Sequence, residues 1–182
     1  MGRHQNMLRN RTRGIAGWAC AILFSFFCTS FIPASNPDPG SYAFYKLNFK
    51  VKQPSVRPDL ETEMLGMINE EREKQGLKPL VADPELAEVA RMHSKDMFRR
   101  GYFSHYTPER VSPFDRMKEF KISYIKAGEN LSMAPTLGSS HRGLMKSPGH
   151  RENILKPVFG RVGIGIMDGG RYGLMVTQDF RN

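Results

Sequence analysis

Three polar residues stand where a folded chain could use them for chemistry. They are His105 in Tyr102-Phe103-Ser104-His105, Glu129 in Gly128-Glu129-Asn130, and His150 in Ser147-Pro148-Gly149-His150. Two neutral imidazoles and one carboxylate would make a three-ligand zinc site with an open fourth position, provided the fold brings them together. Each also has a plainer reading: an exposed loop histidine, a carboxylate accepting backbone hydrogen bonds, and a histidine in the first turn of a helix. Separations of 24 and 21 residues exclude a meeting on one helix face, so only the tertiary fold can gather them.

His150 permits a sharper argument. With Ser147 as N-cap and Pro148 at the first helical position, His150 is the third helical residue, near the positive end of the helix dipole. That field disfavours imidazolium and leaves a lone pair for a metal or a hydrogen-bond donor. Asn130 and Arg151 are expected to support the cleft, the amide by bridging loop backbones and the guanidinium by holding a carboxylate; Arg72 is read in the same way. His93 shares a helical stripe with Leu86, Ala90 and Met97, which points to a core histidine bonded to backbone. Ser104 beside His105 suggests a serine nucleophile, but sequence neighbours seldom turn their side chains towards each other.

Hydrophobic period and cap residues supply the helices and strands that would hold these side chains. Met64, Leu65, Ile68 and Arg72 share one face of a helix over 61–75, with Gly76 as its C-cap. Asp83-Pro84-Glu85 caps a second helix that Gly101 ends. Ser112-Pro113-Phe114-Asp115 opens a short helix to about Phe120, and further short helices are expected over 140–146 and from Ser147 to about Leu155. Then the period becomes two. Val162, Ile164 and Ile166 alternate with glycines, and after Asp168-Gly169-Gly170 the residues Tyr172, Leu174, Val176, Gln178 and Phe180 alternate again, which predicts a terminal β-hairpin. Helices first and strands last in one unit indicate an α+β domain, helices packed on an antiparallel sheet.

The 182 residues suffice for one domain and an N-terminal extension. The net charge of +9 is concentrated in the first 60 residues, which leaves about +3 for the rest, so nucleic acid is not an expected partner. From Gly14 to Ile32 there is no charge, and Arg3, Arg9, Arg11 and Arg13 precede the stretch. Such a segment is long enough to span a membrane with its N-terminus inside, which assigns residues 1–35 as a signal peptide or a signal anchor and puts the rest of the chain outside. Cleavage after Ser30 or Ala34 and retention as an anchor both stay open. Cys20 and Cys28 fall inside this segment, so the exported part holds itself together without disulfides. Residues 36–60, with prolines at 37, 39, 54 and 58, read as a linker; alternation from Ala43 to Val51 allows it one strand.

The phrases INEEREKQGLKPL, ADPELAEVARMHSKDM, GYFSHYTPERVSPFDRMKE, AGENLSM, LMKSPGHRENILKPVFGRVGIGI and VTQDF resemble the successive blocks of bacterial CAP domains (cysteine-rich secretory protein, antigen 5, pathogenesis-related-1), also called SCP-like. The resemblance covers about residues 62–182. It implies a single α-β-α sandwich, helices on both sides of a small antiparallel sheet, over 61–182, with His105, Glu129 and His150 in the central cleft. Many eukaryotic relatives add a second glutamate just before the last histidine, where this chain has Lys146 and Ser147; Leu144 and Lys146 also replace a usual tryptophan and asparagine. The expected function is that of a secreted or membrane-anchored binding module for a divalent metal, zinc foremost, or a cell-envelope ligand. Two alternatives are an extracellular metal-dependent hydrolase and a lipid or sterol binder. Catalysis is the harder case: if Glu129 ligates the metal no second carboxylate is evident as base, and if it is the base only two histidines remain.

Overall fold

The structure, a computed structural model, describes residues 43–182; the expected signal peptide or anchor at 1–35, with its hydrophobic helix, and the start of the linker lie outside the described residues. Within 43–182 no helix is long and apolar enough to cross a membrane.

The helices begin where the chain supplies a proline-led cap. Helix α1 runs Pro58–Glu73 and α2 runs Pro84–Arg100. Asp83 caps α2 by accepting a hydrogen bond from the Leu86 N–H, and Gly101 ends it in the left-handed conformation at φ 77°. In α3, Pro113–Glu119, Ser112 and Asp115 form the reciprocal capping box. Helix α4, Leu137–Lys146, starts earlier than its sequence suggests because Thr136 and Ser139 close a second box. Helix α5 is Pro148–Ile154, and the Ser147 hydroxyl makes no capping bond to it.

Of the strands, β1 is Tyr45–Lys46, β2 Ser55–Val56, β3 Val81–Ala82, β4 Tyr102–Phe103, β5 Ala127–Ala134, β6 Arg161–Asp168 and β7 Leu174–Arg181. The terminal hairpin forms as expected: β6 and β7 pair antiparallel, and β7 pairs antiparallel with β5. The main sheet has the order β2-β6-β7-β5, and β3 joins β6 as a parallel partner. That parallel pair departs from the all-antiparallel expectation, and it is allowed because four helices and two strands intervene between β3 and β6.

Both faces of the sheet are covered, which is the α-β-α sandwich. On one side Val162, Ile164, Ile166, Val176 and Phe180 pack with Met64 and Ile68 of α1, Leu144 of α4 and Ile154 of α5. On the other, α2 lies directly on the glycines of β6. A Cβ on Gly163 would sit 2.1 Å from the Leu86 carbonyl carbon, and one on Gly165 2.2 Å from that of Ala90. The helix backbone touches the sheet backbone because β6 offers no side chain there.

The described part of the linker is not a free spacer. Leu47, Phe49 and Val51 pack against Met97, Phe98 and Tyr102. The Leu47 N–H donates to the Gly101 carbonyl and the Val51 N–H to that of Phe98, both at 2.9 Å. Strand β1 pairs with β4, so this strap lies against the residues that lead into His105.

Candidate functional site

His105 follows β4, in a turn fixed from three directions. The Ser104 hydroxyl donates to the Ala43 carbonyl at 2.8 Å and accepts from the Tyr106 N–H at 3.1 Å, while the Ser104 carbonyl lies 2.9 Å from His93 Nε2. That bonding, with Ser104 only 3% exposed, removes it as a nucleophile. His93 is the buried core histidine its stripe indicates, and burial pushes its imidazole down to about 4.

His105 and Glu129 meet. His105 Nδ1 is 2.7 Å from Glu129 Oε1, with the imidazole side chain 38% exposed and the carboxylate side chain 2% exposed. The other carboxylate oxygen, Oε2, takes a hydrogen bond of 2.5 Å from Arg116 of α3. Arg116 also donates to the carbonyls of His105 and Val111, tying loop, helix and strand together. Burial alone would raise the Glu129 carboxyl, but the Arg116 charge and the hydrogen bond from His105 overcome it and hold the group at about 2. An ionised carboxylate only accepts, so His105 carries its proton on Nδ1, and Nε2 is left without a partner among the described residues.

His150 sits in the first turn of α5 and is not hydrogen-bonded to Glu129. Its imidazole is pushed down to about 4, first by burial and then, wherever His105 is protonated, by repulsion from that ring. Asn130 anchors this helix: its Nδ2 donates to the His150 carbonyl at 3.0 Å and to Gln178 Oε1 at 3.1 Å, and its Oδ1 accepts from Asn153 at 3.0 Å. Arg151 is exposed on α5, and the guanidinium on Glu129 comes instead from Arg116. Arg72 holds no carboxylate; it is buried and donates to the carbonyls of Lys78, Ile154, Lys156 and Phe159. Arg72 stood out on the inward face of its helix, but Arg116 did not, since nothing in Pro113-Phe114-Asp115-Arg116 marks the fourth residue as turned inward.

Asp179 is a further acid that pattern alone did not pick out. It faces Glu129 across the β5–β7 ladder, is fully buried, and neither of its oxygens has a hydrogen-bond donor in the protein. Burial first, then the negative charge of Glu129 beside it, raises its carboxyl well above the ordinary 3.8. Asp179 therefore keeps its proton to a higher pH than an ordinary aspartate, beside an anionic Glu129. A raised folded-state pKa contributes stability that is present below the unfolded value and lost as pH rises towards the folded one. Asp179→Asn, neutral at every pH, should therefore stabilise the domain at pH 7 by about 1–3 kcal/mol and leave it unchanged below about pH 4. Urea unfolding at the two pH values checks this; a variant less stable than the parent at pH 7 would show that the ionised form is needed.

The arrangement does not fit a three-ligand zinc site. Both Glu129 oxygens are engaged by His105 and Arg116, and among the described residues no three of His, Cys, Asp or Glu are placed to hold an ion. What it provides is an oriented imidazole backed by a buried ion pair, with the neutral imidazole of His150 carried separately on the first turn of α5.

Comparison with known proteins agrees with this architecture. The model of the cysteine-rich secretory protein family, CAP, matches residues 65–180. The protein YkwD of Bacillus subtilis (strain 168) is 43% identical over 136 residues, 74% of this chain and 52% of that protein. The membrane protein YlbC of the same organism is 34% identical over 116 residues, 63% of this chain and 34% of YlbC. The chain thus spans about half or less of the curated relatives it matches. Among solved structures, an extracellular protein of Bacillus anthracis containing an SCP domain matches with a TM-score of 0.63 and 31% identity, over 69% of this chain and 41% of that one. An outer surface protein of Borrelia burgdorferi shares the fold at a TM-score of 0.64 and 17% identity, over 71% of this chain and 98% of that one. The sandwich, the match over 65–180 and the relatives lead to one conclusion: this chain belongs to the CAP family of cysteine-rich secretory proteins.

Proposed function

We propose that the domain works outside the cytoplasmic membrane as a binding module, in which His105 and His150 present imidazole nitrogens to a polar ligand of the cell envelope. One observation carries this reading. The His105 Nδ1 is tied to a buried carboxylate at 2.7 Å, so the ring is fixed with its other nitrogen outward, as a recognition group must be. The outward side of the membrane is supported by the charge-free stretch from Gly14 to Ile32 behind four arginines, and by the extracellular description of the Bacillus anthracis relative. A hollow of about 660 Å³ runs along α5, the helix that bears His150, lined by Lys146, Arg151 and the Lys156–Glu152 pair, and its excess of cations suits an anionic ligand. Hydrolysis is not proposed, since Glu129 is already paired and Asp179 is closed off from solvent.

Calorimetry with the full chain, titrated with solubilised cell-wall fragments and separately with zinc chloride, tests the reading. Binding of the fragments should weaken at least about tenfold in both His105→Ala and His150→Ala, the loss of one good polar contact each. Fragment binding indifferent to both changes would contradict a shared site. Zinc binding lost in both variants would restore the metal reading.

A further inference from the structure

Helix α3 turns Arg116 into the cleft, and its opposite side opens onto a separate hollow of about 490 Å³. Phe114, Lys118, Lys121, Ile122 and Tyr124 line it, with the Phe114 and Tyr124 rings 6.2 Å apart. The loop leaving the hollow carries Ile125, 83% exposed, and Phe114 itself is 46% exposed. This exposure does not come from a loose end, because the N–H groups of Ile125 and Lys126 both donate to Asn182 Oδ1 at 2.9 Å.

The cations are equally specific. None of the salt bridges among the described residues engages Lys118, Lys121 or Lys126. Asp115, the one acid that also lines the hollow, is committed to the N–H and hydroxyl of Ser112, so the lysines outnumber it. Lys121 follows the end of α3 at φ 58°, a left-handed position where glycine is the unstrained choice. A lysine held there, on the rim of an aromatic hollow and beside a water-facing isoleucine, is poorly explained by the fold alone.

Apolar tips within a ring of unpaired lysines are the pattern of a surface that meets lipid headgroups and the upper acyl region. The chain outside the structure supplies the proximity. The uncharged stretch ends at Ile32, and the residues from there to Ala43 reach no farther than roughly 40 Å. We propose that this face docks on an anionic membrane surface, lipid phosphates meeting Lys118, Lys121 and Lys126 while Phe114 and Ile125 enter the interface. The proposal rests on the membrane-side reading above but not on the ligand of the cleft. Bilayer contact and cleft then occupy two sides of one short helix.

The test uses the full chain in nanodiscs doped with a gadolinium-chelating lipid, comparing anionic with zwitterionic discs by amide relaxation. In anionic discs the amides of 114–126 should relax fastest, well ahead of α4 and α5. Lys118→Glu with Lys121→Glu, both surface changes clear of the core, should lower the docked-to-undocked ratio by roughly thirtyfold or more, given the usual contribution of each basic residue at a charged bilayer. Uniform relaxation in the parent, or a maximum on another face, overturns the proposal. So does a response of the same amides to inorganic phosphate with none to anionic discs, which would assign the hollow to a free anion. Cell-wall binding lost with docking intact would instead overturn only the cleft reading.

Discussion

Gly165→Ala is expected to remove most of the stability of the domain. The new Cβ would lie 2.2 Å from the carbonyl carbon of Ala90 and from the Arg91 nitrogen, and 2.6 Å from the Ala90 oxygen. These are backbone atoms in the middle of α2, so no side chain can swing aside; the helix must lift off the sheet or β6 must bend. Ordinary overpacking costs about 1–3 kcal/mol, and a clash with fixed backbone should exceed that range, against a total of roughly 5–15 kcal/mol for a domain. Gly143→Ala is the control. Nothing lies within 4 Å of a Cβ there, and in the interior of α4 alanine should gain about 0.5–1 kcal/mol. Urea unfolding of both variants measures this, and a Gly165→Ala protein within about 1 kcal/mol of the parent would contradict the direct helix-on-glycine packing.

The second large effect is expected at Arg72. One guanidinium, 1% exposed, satisfies four backbone carbonyls in three stretches of chain: Lys78 after α1, Ile154 and Lys156 at the end of α5, and Phe159 before β6. Arg72→Ala leaves buried acceptors without donors at about 1–3 kcal/mol each, so the expected result is a loss of at least about 4 kcal/mol or outright unfolding. Arg72→Lys should recover only part of this, since a single ammonium cannot reach carbonyls that a planar fork reaches in several directions. Because two of the carbonyls close α5, the helix that bears His150 should loosen first. Faster amide exchange over 150–156 than over β7 in Arg72→Lys would show it, whereas uniform loss of protection would not fit.

Much of the fold was legible because caps and periodicity are local signals. Asp83-Pro84-Glu85 and Ser112-Pro113-Phe114-Asp115 start α2 and α3 where the pattern said, and Leu86, Ala90, His93 and Met97 are buried together. The hairpin was legible for the same reason. What escaped was the consequence of covering both faces of the sheet. Alternation in β7 marks Leu174, Val176 and Phe180 as interior and leaves the intervening positions to be read as outward, yet Met175, Thr177 and Asp179 are buried under α2. That is why Asp179 was missed.

The site divides along the same line. His105 and Glu129, picked out by motif and resemblance, meet at 2.7 Å, the His150 ring on α5 makes no hydrogen bond to either, and Asn130 occupies the bridging role its burial suits. Sequence favoured Arg151 over Arg116, because both stand in seven-residue helices but only Arg151 directly follows a candidate site residue, His150. Only the direction in which α3 meets β5 decides which one reaches Glu129. The strap over 43–56 was readable as a strand but not as a cover for Tyr102 and Phe98, since a half-buried strand and a linker of alternating aromatics share one pattern.

The recognition proposed for the cleft requires His105 to be an imidazole fixed through Nδ1 by a buried carboxylate, with Nε2 free for a ligand. Long-range proton–nitrogen correlation spectra of the histidine rings, recorded at mildly alkaline pH on the parent and on Glu129→Gln, test this directly. The parent should show His105 as the Nδ1–H tautomer with an unprotonated Nε2, and the Glu129→Gln protein should lose that preference. An Nε2–H tautomer in the parent, or a ring indistinguishable from free histidine in both proteins, would contradict it.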